Sequence, residues 1–394
     1  MTVISAQLSY QANDAASADT AYPPALRDIA NLDRAKSAYD DIRAWPGYEP
    51  SPLLVLEALA ERIGVDRIYY KDESQRFGLK SFKALGGAYA VARQLQARIL
   101  EETGESASID DLLQKRHAAV VDNIVISCAT DGNHGRSVAW GCRMFGCECI
   151  IYIHRDVSSG REQAMQALGA RVIRIDGNYD TSVRQADEDA AANGRIIVSD
   201  TSYPGYVDIP KDVALGYTVM LAEAVEQMRG DIPTHVFIQA GVGGLAAAVC
   251  AYFWELWGEQ RPRFIVVEPE RANCLQQSAA AGKPVTVEGD LETLMAGLSC
   301  GEVSLLAWDI LGPGGNDFLT VSEDAVPACM RLLASGSPPV EAGESAVAGL
   351  AAAIVAREDT AMAARLGLDA SSRIFVIGTE GATDPELYEQ LVHA

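Results

Sequence analysis

Basic residues are scarce in this chain. Thirty-two Lys and Arg stand against 54 Asp and Glu among 394 residues, a formal charge of −22. No Lys/Arg-rich run offsets that charge, which repels phosphate backbones and anionic lipid, so neither nucleic acid nor a membrane surface is an expected partner. The acidity reads as solubility. Long apolar runs are missing too: the best, residues 244–254, stops at Glu255, short of the roughly 18 residues a membrane span needs. No basic start followed by an apolar stretch opens the chain, so no signal peptide is read and the expected location is cytoplasmic. The five histidines are scattered and neither HExxH nor CxxC occurs, which leaves no metal motif. Eight cysteines over so long a chain are not the dense framework of a small secreted domain, and most read as buried thiols. Cys147 and Cys149, on an apolar segment, read as core.

What is present is a globular composition, 48% apolar and 22% charged, too apolar for disorder. Residues 1–35 are polar and Ala/Asp/Ser-rich with Pro23-Pro24, and read as an arm. Beyond them short β-rich runs alternate with Ala-rich helical stretches, the mark of an α/β protein with parallel sheets. Strands are expected at residues 67–71, 123–128, 148–153, 171–175, 196–199, 235–239, 263–267 and 373–377. Helices are expected at 81–100, 132–144, 160–168, 179–193 and 244–257. Ligands of such folds bind where strands end and helix N-termini point their N–H groups.

Three of these junctions carry chemistry. In Gln239-Ala240-Gly241-Val242-Gly243-Gly244-Leu245-Ala246 a strand enters a helix through glycines that let amides approach a phosphate. The same letters fit the G-x-G-x-x-A of a nicotinamide dinucleotide fold, with Glu268 where a ribose-binding acid would end the next strand. A purely structural turn is the third reading. In Ser81-Phe82-Lys83, Ser81 is a candidate N-cap. Lys83 then sits in the first helical turn, where the positive end of the dipole favours a neutral, nucleophilic amine; a solvated surface lysine is the commoner fate. In Cys128-Ala129-Thr130-Asp131-Gly132-Asn133-His134-Gly135-Arg136, small and polar residues can hold a substrate carboxylate on their N–H groups, and Asp131 alone would be an ordinary N-cap.

Together these segments resemble the fold-type II pyridoxal-phosphate enzymes, the family of threonine dehydratase, serine racemase and the tryptophan synthase β chain, over residues 45 to 385. Ser51-Pro52-Leu53 resembles the segment that opens that family's catalytic region. Within the family, A-T-D-G-N-H-G-R at 129–136 is similar to the diaminopropionate ammonia-lyase branch, where most relatives carry S-G-N-H. Further agreement lies in Lys71-Asp72-Glu73-Ser74, Arg76-Phe77-Gly78, Asp200-Thr201, Met295-Ala296-Gly297-Leu298, Gly343-Glu344-Ser345 and Thr379-Glu380-Gly381.

The resemblance implies two open parallel-sheet α/β domains with pyridoxal 5′-phosphate between them: residues 36–89 and 226–394 as the large domain, 90–225 as the small one, and closure over the substrate. It implies that Lys83 holds the cofactor aldehyde, Phe82 packs beside the ring and Asn133 donates to its phenolic oxygen. The amides of Gly241, Val242, Gly243, Gly244 and Leu245 would hold its phosphate. Thr379 would meet the pyridine nitrogen; a hydroxyl there does not keep that nitrogen protonated, which favours β-elimination over transamination. Ser81, Thr130, Asp131 and His134 would contact the substrate. The implied activity is elimination of ammonia from D- and L-2,3-diaminopropionate, giving aminoacrylate and then pyruvate. Lys83 would take the α proton on one face and Asp131 on the other. Asp200 would position the β-ammonium or set the ionisation of Asp131, or serve only as a loop cap before Thr201. A homodimer and a small amino-acid substrate are the implied partners.

Departures from the branch are Ser137 after Arg136 and Ala346 after Ser345. The resemblance pairs Cys274 with Cys300 in a disulfide near the active-site entrance, whereas a reducing cytoplasm leaves both as thiols. Rival readings are a hydroxyamino-acid dehydratase or racemase of the same fold, a nicotinamide-dependent oxidoreductase, and a non-catalytic pyridoxal-phosphate-binding protein.

Overall fold

The computed structural model describes residues 3–16, 20–130 and 132–393. These residues form β1 (Leu8–Ala12), β2 (Leu53–Val55), β3 (Arg67–Asp72), β4 (Val125–Ala129), β5 (Glu148–His154), β6 (Arg171–Ile175), β7 (Ile196–Ile197), β8 (His235–Gln239), β9 (Arg263–Pro269), β10 (Asp317–Val321) and β11 (Arg373–Gly378). All eight expected strands are present. The chain divides into two compact units. One holds residues up to Leu32, Pro50–Arg76 and Met220 onward; the other holds Asp33–Glu49 and Phe77–Val219.

The first unit carries a seven-stranded sheet in the order β1-β10-β9-β8-β11-β3-β2. Its five inner strands run parallel, and β1 and β2 close the edges antiparallel. Every residue of β8 and β10 is buried, as strands covered on both faces must be. Phe237, Ile265, Leu319 and Val376 share a core with Leu350 and Ile354 of the helix Ala348–Glu358. Each such side chain, fully buried, contributes about 1.5–3 kcal/mol. The segment read as a polar arm supplies β1, which pairs Leu8 with Val321 and so covers the edge of β10. Ile4 is buried.

The second unit carries the all-parallel sheet β6-β5-β4-β7. The helix Lys83–Thr103 lies whole within this unit. One contact that holds it is Ser137 Oγ, in the helix Asn133–Phe145, which accepts from the Ala88 N–H at 3.1 Å. That contact explains a serine the sequence could not account for. Residues 33–49 join this unit through aromatic packing: Trp45 meets Trp140 at 5.7 Å between centroids and Phe77 at 5.9 Å. Among the described residues no helix is long and apolar enough to cross a membrane.

The end of β3 in the first unit is anchored by charge rather than by apolar packing. The buried Lys71 ammonium donates to the Ser51 carbonyl at 2.7 Å, Glu223 at 2.8 Å and Gln227 at 3.0 Å, which uses all three of its donors. Arg76 donates to both oxygens of Glu73, at 2.8 Å each, and to both of Glu223, at 2.9 and 2.7 Å. The Ser51 hydroxyl completes the set, accepting from Arg76 at 2.9 Å and donating to Glu73. Two cations and two carboxylates thus leave water together with no net charge. Removing one partner strands the others, so Arg76→Met is expected to cost about 3–5 kcal/mol, read as a lowered urea-unfolding midpoint relative to a surface control such as Arg98→Met.

Candidate active site

In the second unit, β4 ends at Ala129 and the chain turns into the helix Asn133–Phe145. The turn is pinned at Thr130, whose N–H donates to the Tyr152 carbonyl at 3.1 Å and whose Oγ1 accepts from the Gly132 N–H at 3.3 Å. Asn133, half-buried, opens the helix. Asp131, the expected second base, lies outside the described residues.

Lys83 is the first residue of its own helix, and its N–H donates to Ser81 Oγ at 3.3 Å. Its Nζ lies 5.4 Å from the centre of the Phe82 ring and is hydrogen-bonded to the Asp200 carboxylate. The Asp200 side chain is 24% exposed. Burial alone would raise its carboxyl, but Lys83, with His134 beside it, holds it well below the usual carboxylate range. Asp200 therefore serves as the counter-charge of Lys83; the Thr201 N–H is taken by Ser199 Oγ at 3.4 Å instead. The loop carrying Asp200 is braced by Tyr206, whose hydroxyl donates to the Ile197 carbonyl and accepts from the Ser199 N–H, both at 2.9 Å.

His134 Nδ1 lies 3.9 Å from the Asp200 carboxylate, and Nε2 is 2.9 Å from the Val198 carbonyl. A carbonyl only accepts, so Nε2 carries the proton. Burial pushes the imidazole pKa down against the pull of Asp200, so the ring is neutral and Nδ1 is a bare acceptor. Tyr217 adds a wall, its ring 4.7 Å from that of Phe82. Neither Tyr206 nor Tyr217 was singled out from the sequence. Nothing in the residue pattern marks them, since both act through a partner brought near only by folding.

In the first unit the loop after β8 is built to receive an anion. The Ala240 N–H is spent on the Val267 carbonyl at 2.9 Å, and the loop is tied down where the Ser304 N–H donates to the Val242 carbonyl at 2.9 Å. Among the described residues no protein acceptor takes the N–H groups of Gly241, Val242 and Gly243. Gly243 has φ +97°, the left-handed region, and a Cβ there would lie 3.0 Å from that of Ala307. The helix Gly244–Trp257 begins at this point, so its positive end adds to the amide cradle. Leu245 lies in its first turn.

Thr379 follows β11, the neighbour of β8 in the sheet. Gln239 Nε2 donates to Thr379 Oγ1 at 3.0 Å, which leaves the threonine proton for an outside acceptor such as an unprotonated ring nitrogen. Distant motifs converge nearby: the Gly297 N–H donates to Ser345 Oγ at 2.9 Å, and the Ser345 N–H donates to Glu380 Oε1 at 3.2 Å. Ala346, the other departure, is buried and offers its carbonyl to Gln239 at 3.2 Å, a backbone role indifferent to a small side chain.

Glu268 corrects the dinucleotide reading. It is fully buried, and its two oxygens accept from the Leu275 and Gln276 N–H groups at 2.8 and 2.7 Å, capping the helix Cys274–Ala281. No oxygen is turned outward for a ribose. Burial pushes its carboxyl up to about 8 against those two amides. Cys274 and Cys300 are both thiols. Burial first, then Glu268 and Cys300, push the Cys274 thiol up, which disfavours the thiolate that exchange requires.

Comparison with known proteins places this geometry. Residues 44–379 match the family model described as pyridoxal-phosphate dependent enzyme. The chain is 38% identical over 367 residues to diaminopropionate ammonia-lyase of Escherichia coli (strain K12), covering 91% of each chain. It is 38% identical over 359 residues to the enzyme of that name from Salmonella typhimurium, covering 88% and 89%. It superimposes with a TM-score of 0.88, at 35% identity, on the crystal structure of the Escherichia coli diaminopropionate ammonia lyase in complex with an aminoacrylate–PLP azomethine reaction intermediate, over 99% of this chain and 98% of that one.

Taken separately, each unit carries groups of a kind that suits that cofactor: the first a cradle of unspent amides and a threonine hydroxyl proton, the second a lysine at a helix start. Gly243→Ala is expected to weaken pyridoxal-phosphate binding at least about tenfold through backbone strain at a positive φ, read by fluorescence titration of the apoprotein. Glu268 adds a pH signature. Its folded pKa lies above the unfolded one, so its contribution to stability is full below about pH 4.5 and is lost as pH rises to about 8. Stability of the wild type relative to Glu268→Gln should fall across that window by at most about 1.4 kcal/mol per pH unit and level off above it; a flat difference in denaturant melts would contradict the assignment.

Proposed function

The chain belongs to the pyridoxal-phosphate-dependent enzymes of fold type II, and from that premise we propose that it eliminates ammonia from 2,3-diaminopropionate. Its cofactor, pyridoxal 5′-phosphate, supplies an electron sink that makes the α proton of a bound amino acid removable. Lys83, Phe82 and Asn133, the amides of residues 241–245 and Thr379 are the groups that would hold it.

The observation that carries the choice of substrate is the Asp200 carboxylate, which in the structure is paired with Lys83 and lies 3.9 Å from His134. With the Lys83 amine committed to the cofactor, that carboxylate loses its cation. A substrate bearing a second ammonium restores the charge balance, and a hydroxyamino acid does not. The Asp131 motif, which the branch shares, supports the same reading. Ser81, Thr130 and Asp131 complete the substrate contacts in this proposal.

The residues then divide the proton work. Lys83 Nζ takes the α proton of one enantiomer, and the Asp131 carboxylate takes that of the other from the opposite face. The electron pair of the broken C–H bond forms the Cα–Cβ double bond, and the pair of the Cβ–N bond leaves on nitrogen. Asp200 keeps that nitrogen as ammonium until it departs as ammonia. The remaining aminoacrylate takes up water and yields pyruvate and a second ammonia. A homodimeric, cytoplasmic enzyme acting on a small amino acid completes the proposal.

The test is a visible spectrum before and after borohydride, followed by pyruvate assays with D- and L-diaminopropionate and with D-serine. Lys83→Ala is expected to abolish the reducible chromophore at the site. Asp131→Asn should slow one enantiomer at least about 100-fold more than the other. Equal slowing of both would overturn the two-face division, and no pyruvate from either enantiomer would overturn the function.

A further inference from the structure

We propose that Tyr217 is a specificity-determining residue whose hydroxyl, with His134 Nδ1 and the Asp200 carboxylate, forms the acceptor set for the β-ammonium of the substrate. The proposal rests on the diaminopropionate reading and deepens it by naming what surrounds the leaving nitrogen.

Among the described residues, the buried polar atoms of the second unit that have no hydrogen-bond partner include the Tyr217 hydroxyl and His134 Nδ1. Their residues are 1% and 6% exposed. Both belong to the surroundings of one charge pair. His134 Nδ1 is 3.9 Å from Asp200, and Lys83 Nζ lies 5.9 Å from the centre of the Tyr217 ring. The phenol is near enough to Lys83 and Asp200 to feel both charges, while burial keeps it protonated.

The ring is not there by accident of packing. Gly86 makes room for it, since a Cβ at that position would lie 2.4 Å from the Tyr217 Cε1, and the helix carrying Tyr217 meets that glycine through Gly216. Phenylalanine would fill the same space against Phe82 without burying an unsatisfied hydroxyl, which costs stability. An orphaned oxygen beside an ion pair is what a ligand site looks like before its ligand arrives. The same holds for a neutral imidazole whose only proton is spent on the Val198 carbonyl.

The chemistry of the missing partner follows from the count. An alkylammonium offers three N–H donors and no acceptor. The site offers one carboxylate and two neutral acceptors. A β-hydroxyl offers a single donor and no charge, so it leaves acceptors unpaired, and a site built to be hydrogen-bonded discriminates strongly against the analogue that cannot do so.

The experiment measures binding apart from turnover. Lys83→Ala protein loaded with pyridoxal phosphate is titrated calorimetrically with L-diaminopropionate and with D-serine, with and without Tyr217→Phe. The loss on Tyr217→Phe should be about tenfold greater for diaminopropionate than for D-serine, with a matching fall in the ratio of their kcat/KM values in the Lys83-containing enzyme. His134→Gln, which keeps a donor toward Val198 but removes Nδ1, should move the ratio in the same direction. Removing an orphaned hydroxyl should leave the apoprotein's Tm equal or higher, whereas a packing role predicts a lower one. Equal losses for both ligands, or diaminopropionate binding no tighter than D-serine before the Tyr217 change, would overturn the acceptor set. A binding preference that Tyr217→Phe reduces, in an enzyme that makes no pyruvate from diaminopropionate, would uphold the set and sink the elimination reading instead.

Discussion

The constraint on which the first unit depends is that four charges are buried together. Lys71, Glu73, Arg76 and Glu223 are each essentially inaccessible, and each hydrogen bond among them spends a donor or acceptor that would otherwise be stranded out of water. The network ties the end of β3 to Ser51 and to the helix Asp208–Met228. Such a cluster contributes less net stability than apolar packing of the same volume would. It does admit only one arrangement, because any other leaves a bare charge.

A second charge balance governs the site itself. A chain with a formal charge of −22 would seem a poor host for an anionic cofactor. The phosphate cradle proposed at residues 241–245 would need no cations, because backbone amides and a helix start supply the positive field. The acidity that matters chemically is local: the Asp200 carboxylate is stable as an anion because Lys83 stands beside it. Replacing the Lys83 ammonium by the second ammonium of a diamino acid keeps the same balance. Charge therefore links the resting structure to the choice of substrate.

How much of this was legible in the sequence depends on whether a feature is local. The eight apolar strands were readable because burial on both faces leaves a run that no loop would carry. β1 and β2 were not, since an edge strand is defined by the partner it meets and Leu53–Val55 is only three residues long. β10 was missed although it is fully buried: five residues holding an aspartate and a threonine make too weak an apolar run to stand out. Ser137 was an unexplained departure until the helix Lys83–Thr103 was seen to bring Ala88 to it. The rival reading of Glu268 as a ribose-binding acid needed the fold to settle it, because strand position alone does not reveal which way a carboxylate turns.

By itself the sequence determined the family and its chemistry, because the glycine cradle, the helix-start lysine and the Asn133 loop are each contiguous and each needs its residue type at a fixed spacing. Tertiary structure alone decided the partners. The pairing of Asp200 with Lys83, the bare nitrogen of His134, the unpaired hydroxyl of Tyr217 and the donor left on Thr379 all join residues dozens to more than a hundred positions apart. The physical reason is that a hydrogen bond or an ion pair is a property of distance in space. No periodicity or composition encodes which side chains the fold will bring within three or four ångströms of one another.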